Sequence, residues 1–170
     1  MHGVMEITIR PAGPQDHAST RHLVHAAFTP EDVVSFLDAL RTEGCVLGEW
    51  VAENESGIVG HIVFSRVWLE QPNCNRQPAA KLTPLAVRPD VQRSGIGTRL
   101  MEYALAALES RGETLFFVLG HPEYYPRAGF RSDRANAVAS PWSGNPAFMV
   151  RGDVVPEGRL ILPSVIADAH

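Results

Sequence analysis

A glycine-rich loop between an apolar run and an amphipathic run constrains the fold more than any other feature of the sequence. The loop lies in RPDVQRSGIGTRL, residues 88–100, and follows the apolar run AAKLTPLAV. Behind it, a helix is predicted from Ile96 to about Ser110 because one apolar stripe continues at helical spacing through Ile96, Leu100, Ala104 and Leu108. Glycine and serine at a helix start leave N–H groups unpaired beside the positive end of the helix dipole. The loop therefore predicts an anion site suited to a phosphate or pyrophosphate.

Two nucleotide-binding motifs do not match this loop. The dinucleotide pattern G-x-G-x-x-G fails because Leu100 stands where the third glycine belongs. The G-x-x-x-x-G-K-[ST] loop fails because no lysine follows either glycine. A simple tight turn, in which Gly95 and Gly97 serve only the backbone, stays open as the alternative.

The rest of the chain alternates predicted strands and helices without internal repeats, as expected for one domain of 170 residues with 45% hydrophobic residues. The predicted order is β-α-α-β-β-β-α-β-α-β-β, an α/β or α+β fold around a mixed sheet. The segments are MEITIR, PQDHASTRHLVHAAF, TPEDVVSFLDALRTEG with Thr29 and Pro30 at its start, CVLGEWVAE, GIVGHIVFSRVWL, AAKLTPLAV, the helix at 96–110, TLFFVLG, HPEYYPRAGF, PAFMVR and GRLILPSVI, with EQPNCNRQP as a loop.

Composition excludes several classes of protein. A formal net charge of −4 gives no support to a nucleic-acid binder. Cys45 and Cys74 form no CxxC pair, so neither a disulfide framework nor a zinc site is expected. The N-terminal segment lacks the apolar core of a signal peptide, and no run of about 18 apolar residues occurs. A cytoplasmic protein with no membrane contact and no metal is expected.

Two motifs resemble the GNAT superfamily of N-acetyltransferases. LAVRPDVQRSGIGTRLM, residues 85–101, is similar to the family's acetyl-CoA signature Q/R-x-x-G-x-G/A after a strand of type L-x-V-x-P. Downstream, YYPRAGF resembles the element F-Y-x-x-x-G-F, with Tyr125 four residues before Gly129. The resemblance covers about residues 5–150. It departs from the family at 119–122, where a frequent asparagine is absent, and in the C-terminal segment.

The resemblance implies a mixed, mostly antiparallel central sheet with a splayed parallel strand pair, flanked by helices. It implies one N-acetyltransferase domain at 5–150, with a C-terminal strand and tail at 151–170 packed on it. The implied activity is acetyl transfer from acetyl-CoA to a primary amine of a small molecule or peptide, by direct attack in a ternary complex. Sheets of this family often pair between subunits, so a homodimer is compatible with it. The alternatives are a GNAT-fold acyl-CoA sensor without turnover and a nucleotide-binding domain of another family.

The resemblance also implies the cofactor-binding residues. The backbone of Leu85, Ala86 and Val87 is expected to pair with the pantetheine arm, and an N–H near Val87 to bind the oxyanion. The pyrophosphate is expected on the loop and first helical turn, with a further bond from the Thr98 hydroxyl. The loop residues are Gln92, Arg93, Ser94, Gly95, Ile96, Gly97 and Thr98.

Two residues are predicted to be catalytic. Tyr125 is expected to donate a proton to the departing thiolate, since the pKa of a phenol, near 10, lies about 1.5 units above the pKa of a thiol. The alternative is that Tyr125 is only a packed core aromatic. For Tyr124, packing is expected. His121 is a candidate base, or it caps a short helix beginning at Pro122. Other candidate bases are Glu123, Glu31, Asp32 and a bound water. Trp142 is expected to anchor a loop or to line the acceptor pocket.

Overall fold

The computed structural model describes residues 6–27 and 32–167. Its strands are β1 Thr8–Pro11, β2 Val46–Asn54, β3 Gly57–Glu70, β4 Arg76–Val87, β5 Leu115–Leu119, β6 Val138–Ala139, β7 Phe148–Gly152 and β8 Gly158–Ile161. Its α-helices are α1 His17–Ala27, α2 Asp32–Thr42, α3 Ile96–Ser110 and α4 Ser164–Ala167. Short 3-10 turns lie at Pro14–Asp16, Pro89–Val91, Tyr125–Ala128 and Asp133–Ala135.

One sheet organises the molecule, with the strand order β1-β2-β3-β4-β5-β7. All neighbours in this order are antiparallel except β4 and β5, which are parallel. β8 pairs with the end of β3 at 68–70 and, on its other side, runs parallel to β6. The predicted mixed, mostly antiparallel sheet flanked by helices is thus confirmed.

The parallel pair β4–β5 separates soon after it forms. Pairing between the two strands is limited to Ala80 with Phe116 and Lys81 with Phe117. The register of β4 against β3 also shifts, because the three residue steps from Leu82 to Leu85 on β4 lie opposite only two residue steps on β3. Pro84 lies within this bulge and has no N–H to donate to a neighbouring strand. From Leu82 to Val87, the edge of β4 that faces away from β3 therefore has no strand neighbour within the described ranges. This confirms the predicted splay.

Helices cover both faces of the sheet. The predicted stripe of α3 is fully used, since its four members are all at most 3% exposed and pack on β2, β3 and β4. On the opposite face, α1 and α2 bury Leu23, Val24 and Leu37 against Val63 of β3 and Ala86 of β4. Burial of these apolar side chains is the main contribution to the stability of the cores on the two faces of the sheet.

Several boundaries differ from the sequence expectation. The loop predicted over EQPNCNRQP is only residues 71–75, because β3 continues to Glu70 and β4 begins at Arg76. The short helix begins at Tyr125 instead of Pro122, and β6 and α4 were not predicted. The predicted start of α2 at Thr29 and Pro30 lies outside the described residues.

The C-terminal segment packs on the same sheet, through β8 and through the buried side chains of Leu160 and Ile166. The domain boundary at residue 150 stays a prediction. Cys45 and Cys74 are both free thiols. No helix in the described part of the chain combines the length and apolarity needed to cross a membrane.

Candidate active site

The loop before α3 presents a row of unpaired backbone donors. None of the backbone N–H groups from Gln92 to Thr98 donates a hydrogen bond to another described residue. Two residues of the loop are left-handed, Arg93 with φ +65° and Gly95 with φ +87°. Left-handed residues within a turn direct successive N–H groups toward one point, which forms a nest for an anion. The nest opens at the N-terminus of a 15-residue helix, where the helix dipole adds to it.

Side chains hold this loop from within. The Gln92 side chain donates from Nε2 to the carbonyl of Val87 at 3.0 Å, and the Ser94 hydroxyl donates to the carbonyl of Val91. These two bonds occupy the Gln92 and Ser94 side chains, so a ligand would meet mainly their backbone groups. The loop is therefore tied to the end of β4, where the sheet opens.

Tyr124 contributes more to this loop than packing, which corrects the expectation for it. Its hydroxyl lies 3.1 Å from Oγ1 of Thr98. A Cβ placed on Gly97 would lie 3.1 Å from the same hydroxyl, so glycine leaves the space that the Tyr124 side chain uses. The Thr98 hydroxyl, expected to face a pyrophosphate, thus already has one partner on the short turn after β5.

Tyr125 is buried, with 7% of its surface exposed, beyond the end of β5. Its ring lies against Gly120, where an added Cβ would approach a ring carbon to 2.3 Å, and makes edge-to-face contacts with Phe130 and Tyr124. Its hydroxyl forms no hydrogen bond with another described residue. Burial, and secondarily Tyr124, raises the pKa of Tyr125 to about 12. The phenol is therefore protonated at neutral pH, but its pKa lies about 3.5 units above that of a free thiol instead of 1.5.

His121 lies at the start of the turn that carries the two tyrosines. Its carbonyl accepts hydrogen bonds from the N–H groups of Tyr124 and Tyr125 at 3.1 and 3.3 Å. Its side chain is exposed and contacts no hydrogen-bonding partner among the described residues. His121 does not cap a helix from Pro122, because the helical turn starts three residues later. Of the other candidate bases, Glu123 is exposed, while Glu31 and the side chain of Asp32 lie outside the description.

Lys81 is the polar residue at the splay that sequence reasoning missed. It is 3% exposed, and its Nζ donates to Oγ1 of Thr83 at 2.8 Å and lies 5.0 Å from the ring centroid of Trp142. Burial lowers the pKa of Lys81 to about 8. The signal was present in the sequence, since Lys81 is the only lysine of the chain and stands in an apolar strand, whereas fourteen other cationic residues are arginines.

A buried polar network lies on the face of the sheet that α1 and α2 cover. His61 Nε2 donates to Glu49 Oε1 at 2.7 Å, and Arg41 bonds both Glu49 and the hydroxyl of Thr20. Burial alone would raise the pKa of Glu49, but the bonds from His61 and Arg41 outweigh it and lower that pKa to about 2. Burial lowers the pKa of His61, so the imidazole is neutral and donates to a carboxylate. The network anchors the two helices to β2 and β3.

Within the described ranges, no group of three or more His, Cys, Asp and Glu side chains is arranged to hold a metal ion. The three histidines of α1, at positions His17, His22 and His25, therefore give no support to a metal site. What the site offers instead is an anion nest, an open strand edge beside it, a buried phenol and a buried lysine. This combination suits a long phosphorylated ligand that lies along β4 and presents a reactive group at the splay.

Comparison with known proteins gives one family. Residues 48–132, half of the chain, match the family model of an acetyltransferase (GNAT) domain. The chain is 40% identical over 80 residues to the uncharacterized N-acetyltransferase YjhQ of Escherichia coli K12, a match that spans 47% of this chain but only 44% of YjhQ.

Two solved structures are similar over nearly the whole chain. A GNAT family acetyltransferase from Brucella melitensis, crystallised with acetyl-CoA, has 28% identity and a TM-score of 0.79, with 95% of this chain and 99% of that one covered. YhbS from Escherichia coli, in complex with CoA, has 22% identity and a TM-score of 0.87, with 98% and 95% covered. At 22% identity the second likeness concerns the fold alone.

Proposed function

The chain belongs to the GNAT acetyltransferase family, and from that premise we propose that it transfers an acetyl group from acetyl-CoA to a primary amine of a small molecule or peptide. The observation that carries this proposal is the row of unpaired N–H groups from Gln92 to Thr98 beside the open edge of β4. A pyrophosphate would accept from the nest, and a pantetheine amide would pair with those backbone groups of Leu85, Ala86 and Val87 that face away from β3. The complex of the Brucella relative with acetyl-CoA supports the same cofactor.

In the proposed reaction, the neutral amine of the acceptor attacks the thioester carbonyl directly. The new N–C bond forms, a backbone N–H near Val87 stabilises the oxyanion, and the C–S bond then breaks. Tyr125 donates a hydrogen bond and then its proton to the leaving sulfur. The raised pKa of Tyr125 does not prevent this, because the same burial that raises the pKa of the phenol also raises that of a thiolate formed beside it.

We assign removal of the proton from the attacking nitrogen to His121, whose exposed imidazole has no competing hydrogen bond in the described structure, with a bound water as the alternative route. Replacement of His121 by glutamine tests this role, with Glu123→Gln as a control for a change at a neighbouring exposed position. A base role predicts a lower kcat for His121→Gln at neutral pH and an unchanged kcat for the control. Equal kcat values in the two variants would transfer the role to water.

The decisive experiment is a thermal-shift titration with acetyl-CoA, CoA, ATP and NAD in parallel, followed by a turnover assay on a library of amines. Ligand at 100 times its Kd should stabilise the protein by about 2.7 kcal/mol. We expect stabilisation by the two coenzyme A compounds and release of CoA with at least one amine. Binding without any turnover would favour the sensor instead, and tighter binding of ATP or NAD would contradict the proposal.

A further inference from the structure

Two buried polar side chains with unused hydrogen-bonding capacity lie side by side at the closed end of the splay. Ser65 of β3 and Lys81 of β4 are directly opposite in the strand register, so their side chains share one face of the sheet. Ser65 is fully buried and its hydroxyl has no hydrogen-bond partner in the described structure. The ammonium of Lys81 bonds only the hydroxyl of Thr83 there.

That face is the one covered by α1, α2 and the loop of Trp142. Ala80 and Leu82 pack in the core under α3, so Lys81 between them points the other way. Lys81 also forms the last parallel pair with β5, and the open edge of β4 begins at the next residue. A group held by Lys81 would therefore lie next to the edge on which we place the pantetheine and its thioester.

Lys81 has no carboxylate partner among the described residues. The carboxylates of low exposure on this side of the sheet are already used, Glu49 by Arg41 and His61, and Asp16 by Arg10. An isolated buried ammonium is costly, and such groups are normally paired. Together with the unpartnered Ser65 hydroxyl, this leaves a site with two or more free donors and a net positive charge.

We propose that the amine acceptor also carries a carboxylate, and that Lys81 and Ser65 bind this carboxylate while the amine faces the thioester. One carboxylate oxygen accepts from Nζ of Lys81 and the other from the hydroxyl of Ser65, which satisfies both groups. The inference rests on the proposed acetyl transfer and adds the substrate class: an amino acid, or a short peptide bound through its own carboxylate. The indole ring of Trp142 beside Lys81 shields the charge pair from water.

Short acceptors fit this placement better than long ones. The closed end of the splay and the open edge of β4 are adjacent along one strand, separated by a single residue step. The amine and the carboxylate of the acceptor must therefore lie within a few bonds of each other. Simple diamines and polyamines would place a second cation beside Lys81, and like charges in a buried site repel.

The test compares matched acceptors that differ only in charge. Amino acids, their carboxamides and the corresponding alkylamines are assayed at saturating acetyl-CoA with the wild type, Lys81→Met and Ser65→Ala. We expect the wild type to prefer the acid over its carboxamide by at least tenfold in kcat/KM. Lys81→Met should reduce kcat/KM for acids by about 10- to 100-fold, mainly through KM, and should reduce it for carboxamides by a clearly smaller factor, because an amide oxygen loses a hydrogen bond but no charge pair. Ser65→Ala should weaken acids by a smaller factor, about threefold to tenfold.

Two results would overturn the proposal. One is a wild-type preference for carboxamides or alkylamines. The other is an equal fall in kcat for all acceptors in Lys81→Met, which would place Lys81 in the chemistry instead of in recognition. The melting temperature and the acetyl-CoA affinity of both variants serve as folding controls, and we expect neither to fall, because Lys81→Met removes an unpaired buried charge.

Failure of the proposed acetyl transfer can be distinguished from failure of the proposed carboxylate recognition. If acetyl-CoA binds but no amine is acetylated, the acetyl-transfer proposal fails, and calorimetry with amino acids on the CoA-loaded protein still decides the recognition proposal. Binding of acids that is lost in Lys81→Met would support it. Equal binding of acids and carboxamides, or no binding of either, would contradict it.

Discussion

Tyr124 and Tyr125 are neighbours in the chain, yet their hydroxyl groups lie in different surroundings. The Tyr124 hydroxyl is bonded to Thr98 at the start of α3. The Tyr125 hydroxyl is on a buried ring held between Gly120 and Phe130, with no bond to another described residue. A protonated hydroxyl that has no protein partner, carried by a buried ring, is available to a ligand. This is the physical basis for placing Tyr125 in the proposed chemistry and Tyr124 in the cofactor loop.

The pair allows a matched test of the proton donor. Tyr125→Phe should lower kcat by about 100-fold, because general acid catalysis contributes roughly 10²–10⁴. The Kd for acetyl-CoA should not change, and stability should change by less than about 1 kcal/mol because no intramolecular hydrogen bond is lost. Tyr124→Phe deletes the same atom one residue away, and we expect it to weaken CoA binding severalfold while kcat is kept. Steady-state kinetics and calorimetry on both variants check this, and full activity of Tyr125→Phe would remove Tyr125 from the mechanism.

At the level of residues, sequence reasoning found the groups that belong to a motif and missed those that depend on burial. Tyr125 and the residues from Gln92 to Thr98 were selected by their spacing, and their roles stay predictions. Lys81 was missed because a lysine in a strand is usually at an exposed edge, and only the tertiary structure shows that both of its neighbours and its own side chain are buried.

Two glycines at the ends of α3 have similar left-handed conformations and equally open surroundings. Gly95 precedes the helix with φ +87°, and Gly112 follows it with φ +94°; an added Cβ would meet no atom within 4 Å at either position. Alanine at either site therefore costs only the left-handed conformation, about 1 kcal/mol. The two positions separate the stability of the helix from the binding of an anion at its N-terminus.

We expect Gly95→Ala and Gly112→Ala to lower the free energy of unfolding by similar amounts, measured by urea denaturation. Only Gly95→Ala should weaken binding of CoA, by about tenfold, because a loop that relaxes its backbone no longer directs its N–H groups toward one phosphate. Pantetheine, which lacks the phosphates of CoA, provides the control, since it should bind both variants equally. Equal affinity of both variants for CoA would mean that the loop is only a turn.

At the level of elements, periodic patterns were reliable and boundaries were not. α3 begins and ends where its apolar stripe and flanking glycines predicted. β4 begins three residues earlier than expected, because Pro78 and the preceding polar residues have the composition of a loop, although they pair with the long strand β3. The splay between β4 and β5 has no local sequence signal, since it arises from the shifted register and was expected from the family resemblance alone.

Across the whole molecule, buried ion pairs fasten the helical layer to the sheet. Glu49 of β2 bonds Arg41 of α2 and His61 of β3. Asp16, 4% exposed before α1, accepts two hydrogen bonds from Arg10 of β1 at 2.8 and 2.9 Å. The acceptor face that we propose therefore lies under a layer whose attachment depends on ionised carboxylates.

This attachment makes stability depend on acidity in a defined direction. Hydrogen bonds from Arg10 lower the pKa of Asp16 to about 2, and the bonds described above lower that of Glu49 to about 2 despite its burial. Both pKa values lie below those of the unfolded chain, about 3.9 and 4.3, so the unfolded state binds more protons in this range. The stabilisation is therefore complete above about pH 5 and is lost as the pH falls toward 2. The lowered pKa of His61 acts in the same direction, from about pH 6.5 downward.

Urea denaturation at pH 7, 5 and 3 measures this effect. We expect Glu49→Gln to lower the free energy of unfolding at pH 7 by about 2–3 kcal/mol and to flatten its fall between pH 5 and 3, because the titrating group has been removed. Asp38→Asn breaks the exposed pair of Asp38 with Arg21, where both side chains are over 40% exposed, and should change the free energy by less than about 0.5 kcal/mol at every pH. A wild-type pH dependence in Glu49→Gln would show that the network does not hold the helices. In that case the acid sensitivity of the fold would come from other groups, Asp16 first among them.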